Sequence, residues 1–262
     1  MVCKVKWADV FSDQFSVPLG TKQGGISSPG FFALYMNDMI EILRRKGVGC
    51  HIIDMFVACI MFADDLALLA PSRRALQILM DTCKEYCDLH CLSFNTKKSK
   101  AMIFGKGFDD PCVPLHLGNS DIEFATEWKY LGTTIQSGKE FAFSAKPDLT
   151  SFFRASNAIL GAAGNAEKPV LLTLLYTNCV PILTYACNVK HYSASDMSDC
   201  NTAVNNALRR VFGFKDWRSI RTLREIFNFK SLYEIFKSAQ DRFAESCKSH
   251  LNPVVRKINS IS

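Results

Sequence analysis

Two adjacent aspartates, Asp64 and Asp65, stand alone between the apolar runs Phe56 to Ala63 and Leu66 to Ala70. This feature limits the fold more than any other in the chain. Ionised carboxylates side by side repel, and taking each out of water costs several kcal/mol unless a partner compensates. Two solutions remain open. One is a β-turn, where aspartate is common and both side chains reach solvent, and the pair taken alone favours it. The other is a divalent cation, since Mg²⁺ is held by one or two carboxylates together with substrate phosphates. Successive side chains on a strand point to opposite faces, so both carboxylates serve one ion only if the backbone turns between them. Either way the segment reads as a β-hairpin with the aspartates at its tip.

About forty residues earlier, Gly20-Thr21-Lys22-Gln23-Gly24-Gly25-Ile26-Ser27-Ser28-Pro29 forms a glycine-dense loop. It leads into a helical pattern from Phe31 to Lys46, with Phe31, Leu34, Met36, Met39, Ile40 and Leu43 on the apolar stripe and Gly47 as a stop. Glycines let backbone approach a ligand closely, and a helix N-terminus offers free N–H groups to phosphate. It is no Walker loop, because Lys-Ser or Lys-Thr does not follow. By itself it is a weak signal.

Elsewhere, alternation over residues 1–19 predicts two short strands joined around Ser12-Asp13-Gln14. A short strand is expected near Cys50 to Ile53, an amphipathic helix from Arg73 to Leu92, a strand from Ala101 to Phe104, and two strand pieces around Gly132. After Pro147 the pattern is helical to the end. The fold class expected is α+β, an antiparallel sheet with helices over residues 1–144 followed by an all-helical part over residues 145–262.

Composition narrows the function classes. Hydrophobic residues are 48% and charged residues 21% of the chain, as in ordinary globular proteins. Eleven cysteines without an export signal read as reduced thiols, and an intracellular location, cytoplasmic or nuclear, is expected. Cys83, Cys87 and Cys91, with His90 beside them, repeat at i, i+4, i+8, which suits a buried helix face rather than a zinc site. The longest apolar stretch, Val170 to Cys187, contains Thr173, Thr177, Asn178, Pro181 and Thr184 and reads as a buried helical hairpin hinged near Pro181, not a membrane span. From Asn201 onward twelve Lys and Arg face five Asp and Glu, whereas the first 200 residues carry 19 against 20. That excess suits nucleic acid, and a plain solvated helical surface accounts for it equally well.

Taken together, Gln23-Gly24-Gly25-Ile26-Ser27-Ser28-Pro29 with Phe32, Tyr35 and Asp38 behind it, then Phe62-Ala63-Asp64-Asp65, resemble reverse transcriptases of non-LTR (LINE-like) retrotransposons. The order continues with Leu92 to Lys100 followed by Met102-Ile103-Phe104, similar to the next palm motif, and with Lys129-Tyr130-Leu131-Gly132, similar to the primer grip. Arg209-Arg210-Val211-Phe212-Gly213 lies in a helical remainder similar to the thumb and following region. The resemblance implies a partial polymerase palm with a helical thumb and extension, Mg²⁺ as cofactor, and an RNA template, DNA primer and dNTP as partners, with no membrane. It implies Asp64 as the metal-binding carboxylate and Asp65 as its neighbour. Gln23, Gly24, Gly25, Ser28 and Pro29 would line the template and nucleotide pocket, and Tyr130, Leu131 and Gly132 would steady the primer end. Lys98 is the first candidate for the lysine near the leaving pyrophosphate, with Lys97 and Lys100 close competitors.

One departure from the family pattern concerns the other catalytic aspartate, which belongs on a palm strand before the glycine loop. Only nineteen residues precede Gly20 here, and their Asp9 and Asp13 sit in a pattern similar to the strand pair after that motif. A fragment without it, and without the fingers, is expected to have little activity. The rival expectation is a non-catalytic nucleic-acid-binding remnant.

Overall fold

The structure, a computed structural model, describes residues 2–17, 20, 24–106, 113–214 and 220–259. The chain divides into two compact units, residues 1–96 with 115–121, and residues 97–114 with 122–262.

The first unit opens with β1 (Val2–Cys3), β2 (Lys6–Trp7), β3 (Val10–Phe11) and β4 (Phe15–Ser16). They nest as one hairpin, β2 against β3 and β1 against β4, all antiparallel. The turn is Ala8-Asp9, not Ser12-Asp13-Gln14 as expected, because Ala8 adopts φ +53° and lets Trp7 face Val10 at once. Helix α1 (Ser28–Arg45) starts one turn before the expected Phe31, with Pro29 in its first turn, where a missing N–H costs nothing. Its inward stripe is Met36, Met39 and Leu43. Next come β5 (His51–Ile52) with β6 (Met55–Phe56), and β7 (Cys59–Phe62) with β8 (Asp65–Leu68).

Helix α2 (Arg73–Leu89) begins on Ser72, whose hydroxyl accepts from the Ala75 amide. It stops three residues short of the expected Leu92, since Cys91 takes φ +55°. Met39, Leu43, Ala58, Leu79, Cys83 and Tyr86 form the core, with Cys59, Met61, Leu66 and Leu68 packed on it. The base of β7–β8 is tied to the start of β5–β6 by Cys50 N–H to Leu69 O at 3.0 Å, while Leu69 N–H to Ala58 O at 2.8 Å continues the hairpin's own ladder. Gly49 makes that junction possible. It sits at φ +104°, and a Cβ there would lie 2.4 Å from the Ala58 Cβ.

The chain returns to this unit with β9 (Leu115–Leu117), paired with β10 (Ser120–Ile122). Gln77 of α2 treats β9 as a neighbouring strand would: its side-chain nitrogen donates to His116 O at 2.7 Å and its oxygen accepts from His116 N–H at 2.9 Å.

In the second unit the expected Ala101–Phe104 strand is reduced to isolated bridges, Ala101 with Phe124 and Phe104 with Gly138. Then β11 (Glu127–Tyr130), β12 (Thr133–Gln136) and β13 (Ala142–Phe143) form an antiparallel meander. Helices follow: α3 (Lys146–Ala163), α4 (Lys168–Leu174), α5 (Val180–Thr184), α6 (Ala194–Phe212), α7 (Arg221–Phe227), α8 (Leu232–Lys248) and α9 (Pro253–Asn259). The expected hairpin at Pro181 is instead a continuous helical run. A π-helical segment, Leu175–Cys179, joins α4 to α5, and the Val180 amide bonds to Leu175 O. The wider turn absorbs the proline, which falls in the first turn of α5.

Phe152, Leu171, Leu175, Leu183, Val204, Leu208 and Leu232 form the helical core. Full burial of a residue such as Phe152 contributes about 2–3 kcal/mol. Ser193 caps α6, and Ser231 with Glu234 forms a capping box on α8. The Glu234 carboxyl is held below its usual range, first by the Ser231 amide and then by its hydroxyl.

Lys190 is buried in this core. Its ammonium lies 2.7 Å from Asp148 Oδ2, which also accepts from the Tyr192 hydroxyl at 2.7 Å, and Gln240 donates to the Lys190 carbonyl at 3.0 Å. Removing one partner of a buried pair strands the other charge.

Among the described residues no helix is long and apolar enough to cross a membrane. Replacing Gly49 by Ala is expected to lower stability by about 2–4 kcal/mol through strain and overlap with Ala58. Gly161→Ala, in α3 with open space around it, should instead raise it by about 0.5–1 kcal/mol. Urea unfolding of both variants measures the difference.

Candidate active site

Cys59 pairs with Leu68, Met61 with Leu66 and Phe62 with Asp65, so β7 and β8 are joined by the two-residue turn Ala63-Asp64. The hairpin is held from below: Cys59 and Met61 pack on the α1–α2 core while Ile60 and Phe62 are exposed. Asp64 and Asp65 are both exposed, one in the turn and one as the first residue of β8. Neither side chain has a hydrogen-bond or ion-pair partner among the described residues. Ala63 adopts φ +53°, a conformation that costs an L-residue about 1–2 kcal/mol. The tight turn therefore stores strain where it presents two carboxylates.

This donor set suits a hard oxygen-seeking cation, provided further oxygens come from outside the pair. Among the described residues no three His, Cys, Asp or Glu side chains gather as a complete metal site. Of the three cysteines expected on one buried helix face, Cys83 and Cys87 are buried on α2, whereas Cys91 lies beyond its end and is exposed. Burial pushes the Cys59 thiol up to about 11 and the Cys83 thiol up to about 12, the latter helped by Cys59 and Cys87.

Of the glycine-loop residues, Gln23 lies outside the described residues, and so does its separation from Asp64. Gly24 is exposed at φ +79°, Gly25 O accepts from the Ser28 amide at 3.2 Å, and Ser28 and Pro29 belong to the first turn of α1. Helix α1 is latched to α2 by Tyr35 and His90, named in the sequence on other grounds, and by Tyr86, which sequence reading did not single out. The Tyr35 hydroxyl donates to His90 O at 2.8 Å, the Tyr86 hydroxyl donates to Tyr35 O at 2.5 Å, and the Tyr86 and His90 rings stack at 4.0 Å. The i, i+4 spacing of Tyr86 and His90 was the one available signal. Burial, then the Asp38 charge, raises the Tyr86 pKa, so the hydroxyl stays a donor.

The lysine candidates and the primer-grip candidates fall in the second unit. Lys97 and Lys98 are exposed on a single 3₁₀ turn, Thr96–Lys98. Lys100 is partly buried, paired with Glu123, and 5.8 Å from the Trp128 ring centroid. Glu123 is held below the usual carboxylate range, first by its hydrogen bond from Lys100 and then by that charge. A depressed carboxyl contributes above the unfolded range and is lost as pH falls through its folded value, so the Lys100 tether loosens only in acid. Tyr130, Leu131 and Gly132 form the end of the β11–β12 hairpin, with Leu131 at φ +46° and Gly132 at φ +79°. Both central residues at positive φ is the requirement of a tight primed turn. The Thr133 hydroxyl donates to Tyr130 O at 2.9 Å and closes it.

A family model described as reverse transcriptase (RNA-dependent DNA polymerase) matches residues 6–135. The Retrovirus-related Pol polyprotein from type-2 retrotransposable element R2DM of Drosophila melanogaster is 30% identical over 129 residues, which are 46% of this chain and 12% of that protein. The corresponding polyprotein from type-1 retrotransposable element R2 of Popillia japonica is 24% identical over 200 residues, 73% of this chain and 27% of that protein. The chain spans less than a third of the length of either relative.

Two outcomes follow from this geometry. Ala63→Gly relieves the positive φ and is expected to raise stability by about 0.5–1 kcal/mol in urea unfolding, net of the entropy glycine adds to the unfolded chain. Alkylation at about pH 8, read by peptide mass spectrometry, should label Cys91 in minutes and leave Cys59 and Cys83 unmodified until denaturant is added, because only the thiolate reacts.

Proposed function

Since the chain belongs, through residues 6–135, to the reverse transcriptase (RNA-dependent DNA polymerase) family of the non-LTR retrotransposon kind, we propose that it supplies part of an RNA-directed DNA polymerase core that copies an RNA template from a DNA primer. The observation that carries this is the exposed Asp64-Asp65 pair, uncompensated at a strained hairpin tip inside the matched segment. Residues 1–144 are assigned to a partial palm and residues 145–262 to the thumb and its extension. That boundary follows the change from hairpins to helices at Ala145 rather than the division into compact units.

In this reading Asp64 holds a magnesium ion and Asp65 supports the field beside it. Gln23, Gly24 and Gly25, with Ser28 and Pro29 at the start of α1, line the template and nucleotide pocket. Tyr130, Leu131 and Gly132 steady the primer end. Lys98 is the first candidate for the lysine near the leaving group, with Lys97 and Lys100 as competitors; Lys100 is paired with Glu123. The reaction is attack of the primer 3′-hydroxyl on the α-phosphate of a dNTP, which releases pyrophosphate. Bound Mg²⁺ would supply activation of that hydroxyl and neutralisation of the charge that develops on phosphate oxygens. The strands β7 and β8 pair only with each other among the described residues, which leaves their outer edges open to further palm strands.

The helical part supports the nucleic-acid partner. Arg210 is held by the amide oxygen of Asn157 at 2.5 Å, and Arg224 by those of Asn201 and Asn205 at 3.1 and 2.8 Å. Neutral partners orient a guanidinium without cancelling its charge, which suits contact with a phosphate backbone.

The 262-residue chain is expected to bind an RNA–DNA primer–template without preference for sequence and to extend it little with Mg²⁺, because one carboxylate pair does not organise two ions. For about four phosphate contacts, binding should weaken on the order of a hundred-fold between about 50 and 200 mM salt. Primer extension and fluorescence anisotropy measure both. Robust extension abolished by Asp64→Ala would assign the second carboxylate to Asp9 or Asp13. Binding that ignores salt would overturn the nucleic-acid reading.

A further inference from the structure

The β11–β12 tip meets one aromatic side chain from the helical part of its own unit. Tyr185 follows α5 directly, and its hydroxyl donates to Leu131 O at 3.1 Å. Its ring lies against Gly132 so closely that a Cβ on that glycine would sit 2.8 Å from a ring carbon and 3.0 Å from the hydroxyl oxygen. Gly132 is therefore required twice, by its positive φ and by the ring. Tyr185 is itself backed by the buried pair, since the Lys190 ammonium lies 5.7 Å from its ring centroid and is fixed on Asp148. The tip is thus tied through one ring to α3 and, by Gln240, to α8.

We propose that Tyr185 is a positioning residue for the primer terminus: it fixes the Leu131-Gly132 turn, and the helical part sets the height of that turn through Lys190 and Asp148. This rests on the primer-grip reading of residues 130–132. An isolated two-stranded tip frays readily, and misplacing a reacting end by an ångström costs much of the rate. A ring wedged over the turn and hydrogen-bonded to its first carbonyl removes that freedom.

The test uses the 262-residue chain with Y185F, which keeps the ring and removes the hydroxyl, and Y185A, which removes both. Amide hydrogen exchange of peptides covering residues 129–134 should quicken about five-fold in Y185F, the loss of one hydrogen bond, and on the order of fifty-fold in Y185A, with peptides from α2 unchanged. Anisotropy with an RNA–DNA hybrid bearing a recessed DNA 3′ end, against a blunt hybrid of equal length, reads the primer terminus. The unaltered chain should prefer the recessed end, and Y185A should lose that preference while keeping its affinity for the blunt hybrid. Unchanged exchange at the tip in both variants overturns the positioning role. Faster exchange with the end preference intact overturns the link to the primer. Faster exchange with no end preference even in the unaltered chain overturns the primer-grip reading and leaves Tyr185 as the anchor of the turn. Should Y185A lose protection throughout, Y185F decides alone.

Discussion

Asp64 and Asp65 stand exposed at the end of the β7–β8 hairpin, and the first unit is arranged so that they do. Burying an unpaired carboxylate costs several kcal/mol, so the hairpin that carries them must end where solvent begins. The two-residue turn achieves this by letting Ala63 take a positive φ, which keeps the connection between β7 and β8 to two residues. Everything below the tip is then free to be apolar. Cys59, Met61, Leu66 and Leu68 bury one side of the hairpin on α1 and α2, and Gly49 lets β5–β6 close against its base. The same residues that stabilise the unit raise two charges to its surface.

The second unit treats charge in the opposite way. Lys190 and Asp148 are held inside the helical core, where their mutual attraction and the Tyr192 hydroxyl offset the loss of water. Buried pairs of this kind fix geometry more than they add stability. Here the geometry fixed is that of the segment after α5, which carries Tyr185 to the β11–β12 turn. The cationic side chains Arg210 and Arg224 are oriented by asparagine amides and keep their charge. The two units thus handle charge differently: exposed carboxylates at a hairpin tip in the first, and a buried ion pair beside guanidiniums held by asparagine amides in the second.

Several elements departed from the sequence reading for identifiable reasons. The N-terminal turn moved to Ala8-Asp9, and α2 stopped before Cys91, because non-glycine residues there occupy left-handed conformations that composition does not announce. Pro181 promised a break in the helix, and a π segment absorbed it. The strand expected at Ala101–Phe104 found partners only at single residues, since its neighbours come from separate places in the chain.

The local pattern alone determined that Asp64 and Asp65 stand at a hairpin tip and that a helix follows the glycine loop, although that helix begins at Ser28 and not at Phe31. It also placed the change from hairpins to helices near residue 145. Those features depend on residues within a few positions of one another, where polarity period and the cost of desolvation leave little choice. Tertiary structure decided that Lys100 pairs with Glu123, how α1 is latched to α2 through Tyr35 and His90, and which residue braces Gly132. Lys100 with Glu123, Tyr35 with His90, and Leu131 with Tyr185 are 23, 55 and 54 residues apart. No periodicity spans such distances; only the closing of the cores brings these groups within hydrogen-bond reach.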